Sequence, residues 1–438
     1  MKTLTTIDTT SGTVETRTIH KMRIRILPLI FLLYIVAFLD RINIGFAALT
    51  MNAALGVTST QFGLLSGMFF LGYFLFELPS NLVLHKVGAR IWIARILVSW
   101  GMVAVVTGFV RSTPQLYAAR FLLGVAEAGF FPGILLYLTY WFRQREQAQV
   151  LALFIAAAPV SGILGAPVSG FILDHVHWLA VSSWRWLLIL EGLPAIVCGV
   201  LTIYLLPSRP AEATFLTRDE KSWITQELAR EEKEKATAYS MSALRALSNR
   251  RVWHLALMSF AFQIGVYSMY FWMPKAVKSL SSLYTNTAVG TLVMIPYLAG
   301  FTAMILVSRS SDRRLERRYH GAIPLIVAGI ALMLLGTTGV PWVSITLWSV
   351  VAMGISSFNG PFWSLPNEFL AGASAASGIA LITSIGSLGG FVGPFALGWI
   401  TQRTGSLYTG LALAGASLFG CAALMLVLSK KARVSKER

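Results

Sequence analysis

Two pairs of charged residues interrupt apolar sequence: Asp40 and Arg41 in "AFLDRINIGFA", and Arg120 and Glu127 in "RFLLGVAEAGFFPG". If such stretches cross a bilayer, each buried ionisable side chain costs at least ~2.5–3.5 kcal/mol and so asks for a partner or a task. Arg120 and Glu127 are seven positions apart, two helical turns, and project from one helix face at different depths. Two readings of these four residues stand side by side. In the first, two acids and two bases on facing helices neutralise one another and serve structure alone. In the second, a desolvated carboxylate beside a movable guanidinium takes up a proton more readily once an anionic substrate captures the guanidinium, which couples proton and substrate binding. Arginine suits that capture because its planar fork holds a carboxylate through two hydrogen bonds.

Other polar groups inside apolar runs are weaker signals. Tyr73, Tyr267, Trp363 and Thr383 are candidates to line a midplane cavity, although membrane aromatics also serve packing and interfaces. Glu77 in "FELPSN" and Arg95 read as an ion pair near the ends of two neighbouring spans, and Glu191 as support for an interhelical network. His85 and His254 lie near span edges without a cluster of metal ligands around them, so no metal or other cofactor is expected.

The elements that must position these groups are membrane helices. The 438 residues are 55% hydrophobic and only 13% charged, and their mean hydropathy is +0.67. A soluble domain is nearer a quarter charged, which excludes a soluble enzyme. Twelve apolar stretches reach the roughly 20 residues that a helix needs to cross a bilayer. They run from Leu27 to Thr50, Gln61 to Leu84, Ile91 to Val110, Gln115 to Trp141, Val150 to Leu173 and Trp186 to Leu206. After a polar segment come Val252 to Ser279, Thr287 to Ser308, Ala322 to Gly339, Ser344 to Pro366, Ser374 to Ile400 and Leu407 to Leu428. The expected organisation is therefore an N-terminal tail (1–26), a six-helix half (27–206), a central loop (207–251), a second six-helix half (252–428) and a C-terminal tail (429–438). Within the central loop, Thr217 followed by Glu220 is a capping-box pattern for a surface helix.

The net charge of +17 would fit nucleic acid only if the basic residues shared one solvated face. Instead 28 of the 36 fall in the two tails and the loops after spans 2, 4, 6 and 8, whereas Arg111, Lys275, Lys278 and Arg403 lie on the other side. By the positive-inside rule both termini face the cytoplasm, and no nucleic-acid partner is expected. Cys198 and Cys421 sit in apolar runs and imply no disulfide framework, and the Thr-rich first 20 residues lack a signal-peptide pattern.

The two halves repeat each other. Gly129-Phe130-Phe131-Pro132 in span 4 and Gly162, Gly165 and Pro167 in span 5 have counterparts in Gly360-Pro361-Phe362 and in Gly390, Gly393 and Pro394. Pro132 to Gly162 is 30 positions and Pro361 to Gly390 is 29. Small residues so placed let helices of opposite halves approach closely and slide. Basic turns recur after the second span of each half, "NLVLHKVGAR" and "SRSSDRRLERR", and resemble the GxxxDRxGRR loop of the major facilitator superfamily. The first copy has Asn81 for Gly and His85 for Asp, which leaves Arg90, with Asp312 and Arg313 of the second copy, as the candidate cytoplasmic gate.

"LDRINIGFA", "GYFLFELPSNLVLHKVGAR", "RFLLGVAEAGFFPG", "WRWLLILEGLPA", "LTRDEKSWI", "YFWMPK", "GPFWSLPNEFLAG" and "SIGSLGGFVGP" together resemble the anion:cation symporter family within that superfamily, and most of all its tartrate-type, sugar-acid and organic-acid permeases. The resemblance implies an all-α integral membrane protein of twelve transmembrane helices in two pseudo-symmetric six-helix halves. It implies a monomeric transporter in the bacterial cytoplasmic membrane that imports a small carboxylate by proton symport with alternating access; its partners are the substrate, protons and the lipid bilayer. By the same resemblance Asp40 and Glu127 are the proton-coupling acids, Arg41 and Arg120 the buried bases that meet substrate, and Tyr73 a substrate contact. Thr383 and Ser387 stand where relatives carry Asn in "INSxGNLGG". An aromatic-carboxylate permease, for phthalate or hydroxyphenylacetate, and a sodium-coupled or exchange mode are the alternatives. A membrane-embedded enzyme would need a clustered nucleophile, metal site or acid pair by a binding loop, and a receptor a signalling domain; neither pattern occurs in the sequence.

Overall fold

Leu75, Leu78, Leu82, Val106, Leu164, Val168 and Leu306 all turn apolar side chains outward from helix surfaces. That is the pattern of helices solvated by lipid, where the backbone satisfies its own hydrogen bonds and the outer face is hydrocarbon. The computed structural model describes residues 9–238, 248–366, 370 and 372–428. In chain order its helices are α1 (Thr9–Leu55), α2 (Ser59–Val87), α3 (Ala89–Thr107), α4 (Thr113–Glu127), α5 (Phe130–Thr139), α6 (Gln144–Ile155), α7 (Ala157–His175), α8 (Ser183–Leu205), α9 (Arg218–Ala238), α10 (Arg250–Lys278), α11 (Asn286–Arg314), α12 (Arg318–Leu334), α13 (Pro341–Ser364), α14 (Gly372–Thr404) and α15 (Leu407–Val427). They make twelve membrane spans, the fourth being α4 with α5 and the fifth α6 with α7, in two six-helix halves.

Span 4 is not the single helix expected from Gln115 to Trp141. It breaks directly after Glu127, at Ala128 and Gly129, where Gly129 has φ +86°. Such a conformation favours glycine, and a Cβ there would also collide with Ser80 Oγ. The carbonyl of Ala128 accepts a 2.6 Å hydrogen bond from Ser80 Oγ, itself held by Trp92 Nε1 at 3.0 Å. The break therefore fixes the depth of Glu127. Span 5 starts at Gln144 rather than Val150 and divides at Ala156, just before Pro159, whose missing N–H leaves the Ile155 carbonyl without its helical donor.

The first helix begins 18 residues ahead of Leu27, at Thr9. Ion pairs on the face that carries the basic loops hold this extension. Glu220, in the first turn of α9, accepts hydrogen bonds from Lys21 Nζ at 2.9 Å and pairs with Arg17 at 3.2 Å. The expected capping box forms: Thr217 N donates to Glu220 at 2.9 Å, and Glu220 N to Thr217 Oγ1 at 3.4 Å. Burial would push the Glu220 carboxyl up, but the Thr217 backbone N–H and the Lys21 and Arg17 charges outweigh it and hold it below the usual carboxylate range. Arg143 reaches Glu15 at 3.0 Å and Glu146 at 2.7 Å, tying the loop between spans 4 and 5 into the same cluster.

The halves meet along two seams toward the opposite face. In one, Gly63 and Gly67 of α2 lie against the backbone of Pro394 and Phe391 in α14, and Gly398 of α14 against Ser59. In the other, Gly170 of α7 lies against Asn286 and Gly290 of α11 against Ala166. Backbones this close leave no room for a methyl group, and this is why the spans carry glycine there. Asp174 closes the second seam. Its carboxylate accepts hydrogen bonds from Asn286 N (3.2 Å) and Nδ2 (2.7 Å) and from Thr287 N (2.7 Å) and Oγ1 (2.8 Å), at the N-terminus of α11, where the helix dipole favours an anion.

Candidate functional site

Arg41, about two thirds of the way along α1, is shared between the halves. Its Nη2 is ion-paired with Glu127 at the end of α4, and its Nη1 donates to Tyr267 Oη of α10 at 3.1 Å. The guanidinium also lies 5.2 Å from the Phe38 ring, 5.1 Å from Phe69 and 5.7 Å from Tyr73, close enough for cation–π attraction. Glu127 is fully buried, and its second oxygen has no hydrogen-bond partner among the described residues.

Asp40 and Arg120 stand behind this pair. Asp40, 1% exposed, accepts from Trp100 Nε1 at 2.7 Å and from Asn43 Nδ2 at 3.2 Å. Arg120 is 2% exposed, sits 5.3 Å from the Phe69 ring, and keeps Nε and Nη2 without hydrogen-bond partners. The two bases thus flank Phe69 on α2. No ion pair at contact distance joins Asp40 to Arg120 among the described residues, so the four charges form one contact pair and one looser pair rather than a closed square.

In front of Arg41 a cavity of about 120 Å³ opens between the halves, many times the ~10–15 Å³ that one water centre requires. Arg41, Tyr73, Tyr267, Trp363 and Thr383 line it; Asp40, Arg120 and Glu127 do not. Among its lining residues the rings of Phe131 and Trp363, one from each half, lie 5.8 Å apart. The residues expected at a gate lie apart. Asp312 pairs with Arg317 at 2.5 Å, Arg313 is exposed, and among the described residues no ion pair links Arg90 to either.

Glu77 departs from the sequence reading. No pair with Arg95 forms; the Arg95 guanidinium stacks over Trp92 at 3.9 Å instead. Glu77 lines the cavity, 1% exposed, and accepts from Thr383 Oγ1 at 2.8 Å and Ser384 Oγ at 2.7 Å, both on α14. Sequence reasoning also passed over Gln263 and Asn359, which line the same cavity; polar residues inside spans 7 and 10 were the available signal. Glu191 does support an interhelical network, accepting from Ser169 Oγ at 2.7 Å.

Residues 30–394 match the family model described as the Major Facilitator Superfamily. The chain is 48% identical over 422 residues, 95% of its length and 96% of the relative's, to a protein of Agrobacterium vitis named "Putative tartrate transporter". It is 36% identical to the quinolone resistance transporter of Acinetobacter baumannii, over 96% of both chains. The structure of the xylose transporter XylE from E. coli in a partially occluded inward-open conformation superimposes with a TM-score of 0.72, at 14% identity, covering 92% of this chain and 96% of that one.

Proposed function

Because the chain belongs to the major facilitator superfamily and turns a guanidinium into the cavity between its halves, we propose that it imports a small organic anion of the tartrate or sugar-acid kind by proton symport. The single observation that carries this is Arg41, held at once by Glu127 of the first half and Tyr267 of the second. A carboxylate entering the cavity competes with Glu127 for the fork of Arg41. Glu127, released, is a buried anion without a partner, a state that costs several kcal/mol, and it takes a proton. Asp40, close to Arg120, is the second proton carrier. The loaded site is then close to neutral, and the halves rock about the cavity to open the glycine seams on the opposite face. In this reading the basic face is cytoplasmic, both termini lie on that side, and the membrane is the bacterial inner membrane. Arg90, Asp312 and Arg313, which no ion pair joins among the described residues, would gate that side only by coming together as the halves move.

The cavity also presents Phe38, Phe69, Phe70, Phe262 and Trp363, and this aromatic lining favours an aromatic carboxylate as the second reading. Uptake of labelled L-tartrate, galactarate, phthalate and hydroxyphenylacetate into proteoliposomes, with an imposed inward proton gradient, separates the two. The expected result is concentrative uptake of the hydroxy acids, abolished by a protonophore. Concentrative uptake that persists with a sodium gradient alone, or uptake of the aromatic acids only, overturns the first reading.

A further inference from the structure

We propose that Glu77 is a third proton-carrying site, one that meets the substrate directly and takes up one proton as the anion enters; this rests on the proton-coupled reading above. Asp40 and Glu127 do not line the cavity, whereas Glu77 does. Its carboxylate is buried, and each oxygen accepts a hydrogen bond from a neutral hydroxyl of the other half, Oε1 from Thr383 and Oε2 from Ser384. Among the described residues no Lys or Arg is within ion-pair distance of it. The groups that face it are Arg41 on α1, already paired with Glu127 of α4, Tyr73 on α2 itself, Tyr267 on α10, and the two hydroxyls on α14.

An anion that takes the fork of Arg41 from Glu127 uses the cation that lines the cavity, and leaves Glu77 beside it as a second carboxylate with no cation of its own. Two carboxylates that share one cation in a desolvated site cannot both stay ionised. One proton resolves this. The O–H bond forms on a Glu77 oxygen, with a proton from the aqueous side from which the anion arrives, and breaks to water on the side where the anion leaves. Glu77 then changes from pure acceptor to donor toward the anion, and Thr383 and Ser384 are free to turn their hydroxyls to it. Hydrogen bonds to a neutral carboxyl are about half as strong as those to a carboxylate, so the same proton loosens the link between α2 and α14.

The test counts protons. The purified wild-type chain in lipid nanodiscs, in weakly buffered solution near pH 7, is titrated with the anion selected by the uptake panel, L-tartrate first. Proton uptake is read with an indicator dye and anion occupancy by calorimetry. Glu77→Gln should take up one proton fewer per bound anion than wild type. The wild-type number in this variant overturns the proposal, while no uptake in wild type overturns the proton-coupled reading as well, so the two failures are distinct. Should Glu77→Gln not fold, Thr383→Val with Ser384→Ala decides. It keeps the carboxyl but removes its donors, and the upper pH limit of anion binding should move up by about one unit; an unchanged limit overturns the proposal.

Discussion

The two halves share a frame and divide the chemistry unequally. The first brings Asp40, Arg41, Glu77, Arg120, Glu127 and Glu191 into its interior. Of these, Arg41 and Glu77 line the cavity between the halves, to which the second brings Ser259, Gln263, Tyr267, Asn359, Thr383 and Ser387, all uncharged. Their fourth spans differ too: α4 and α5 are broken beside Glu127, whereas the equivalent α13 runs unbroken through Gly360 and Pro361. Duplication sets how the halves meet without dictating which of them holds charge. Confining the ions to one half has a mechanical advantage, since breaking a buried ion pair costs about 3–5 kcal/mol, while giving up a hydrogen bond between an ion and a neutral group costs about 1.5–3 kcal/mol. The contacts described between the halves are of the second kind: Asp174 with Asn286 and Thr287, Glu77 with Thr383 and Ser384, and Arg41 with Tyr267.

The sharpest way to break this comparison is on the charged side. Glu127→Gln and Asp40→Asn imitate protonated acids, so folded protein should bind the anion and exchange it while losing accumulation driven by a pH gradient. Counterflow and gradient-driven uptake in the same vesicles measure both, and full accumulation would return these acids to a purely structural role. Arg41→Lys comes next. A point charge replaces the fork that spans Glu127, Tyr267 and substrate, with an expected fall in uptake of about 100-fold from roughly 3 kcal/mol of lost charge-assisted bonding. Tyr267→Phe removes only the neutral half's share of that contact and should weaken apparent affinity about tenfold. If it equals Arg41→Lys, the division between halves fails.

The smallest effect concerns the basic face. The folded Glu220 carboxyl is held below its ordinary value, so the stability it adds is fully present above about pH 4.5 and is lost as the pH falls through that lower folded value. Glu220→Gln should remove this contribution at neutral pH. Cleavage by a protease within residues 9–25 should rise several-fold while uptake changes less than twofold.

The twelve spans, the duplication and the buried charges were legible because hydrophobic length and an ion in apolar sequence are properties of single segments. What escaped depends on contacts between segments. Gly129 was visible as part of a repeated Gly-Phe-Phe-Pro motif, yet that it breaks span 4 depends on Ser80 of α2 taking the freed carbonyl. Glu77 looked like half of an ion pair with Arg95 because both lie near the ends of neighbouring spans. Its partners, Thr383 and Ser384, are 306 and 307 residues away in the other half. The helical start at Thr9 was hidden likewise, because its holding charge is Glu220 in the central segment.

The length of α1 has a consequence of its own. At 1.5 Å per residue its 47 residues extend about 70 Å, more than twice the ~30 Å hydrocarbon thickness, and the excess projects from the basic face in the direction of Thr9. Arg41, near the fulcrum of any rocking, is some 32 residues from that end, an arm of about 48 Å. A turn of the first half by about 10° would carry the tip roughly 8 Å through water, while atoms beside Arg41 barely move. Under such a turn the helix would act as a pointer, amplifying a shift at the cavity into a displacement that a pair of dyes on that end can read.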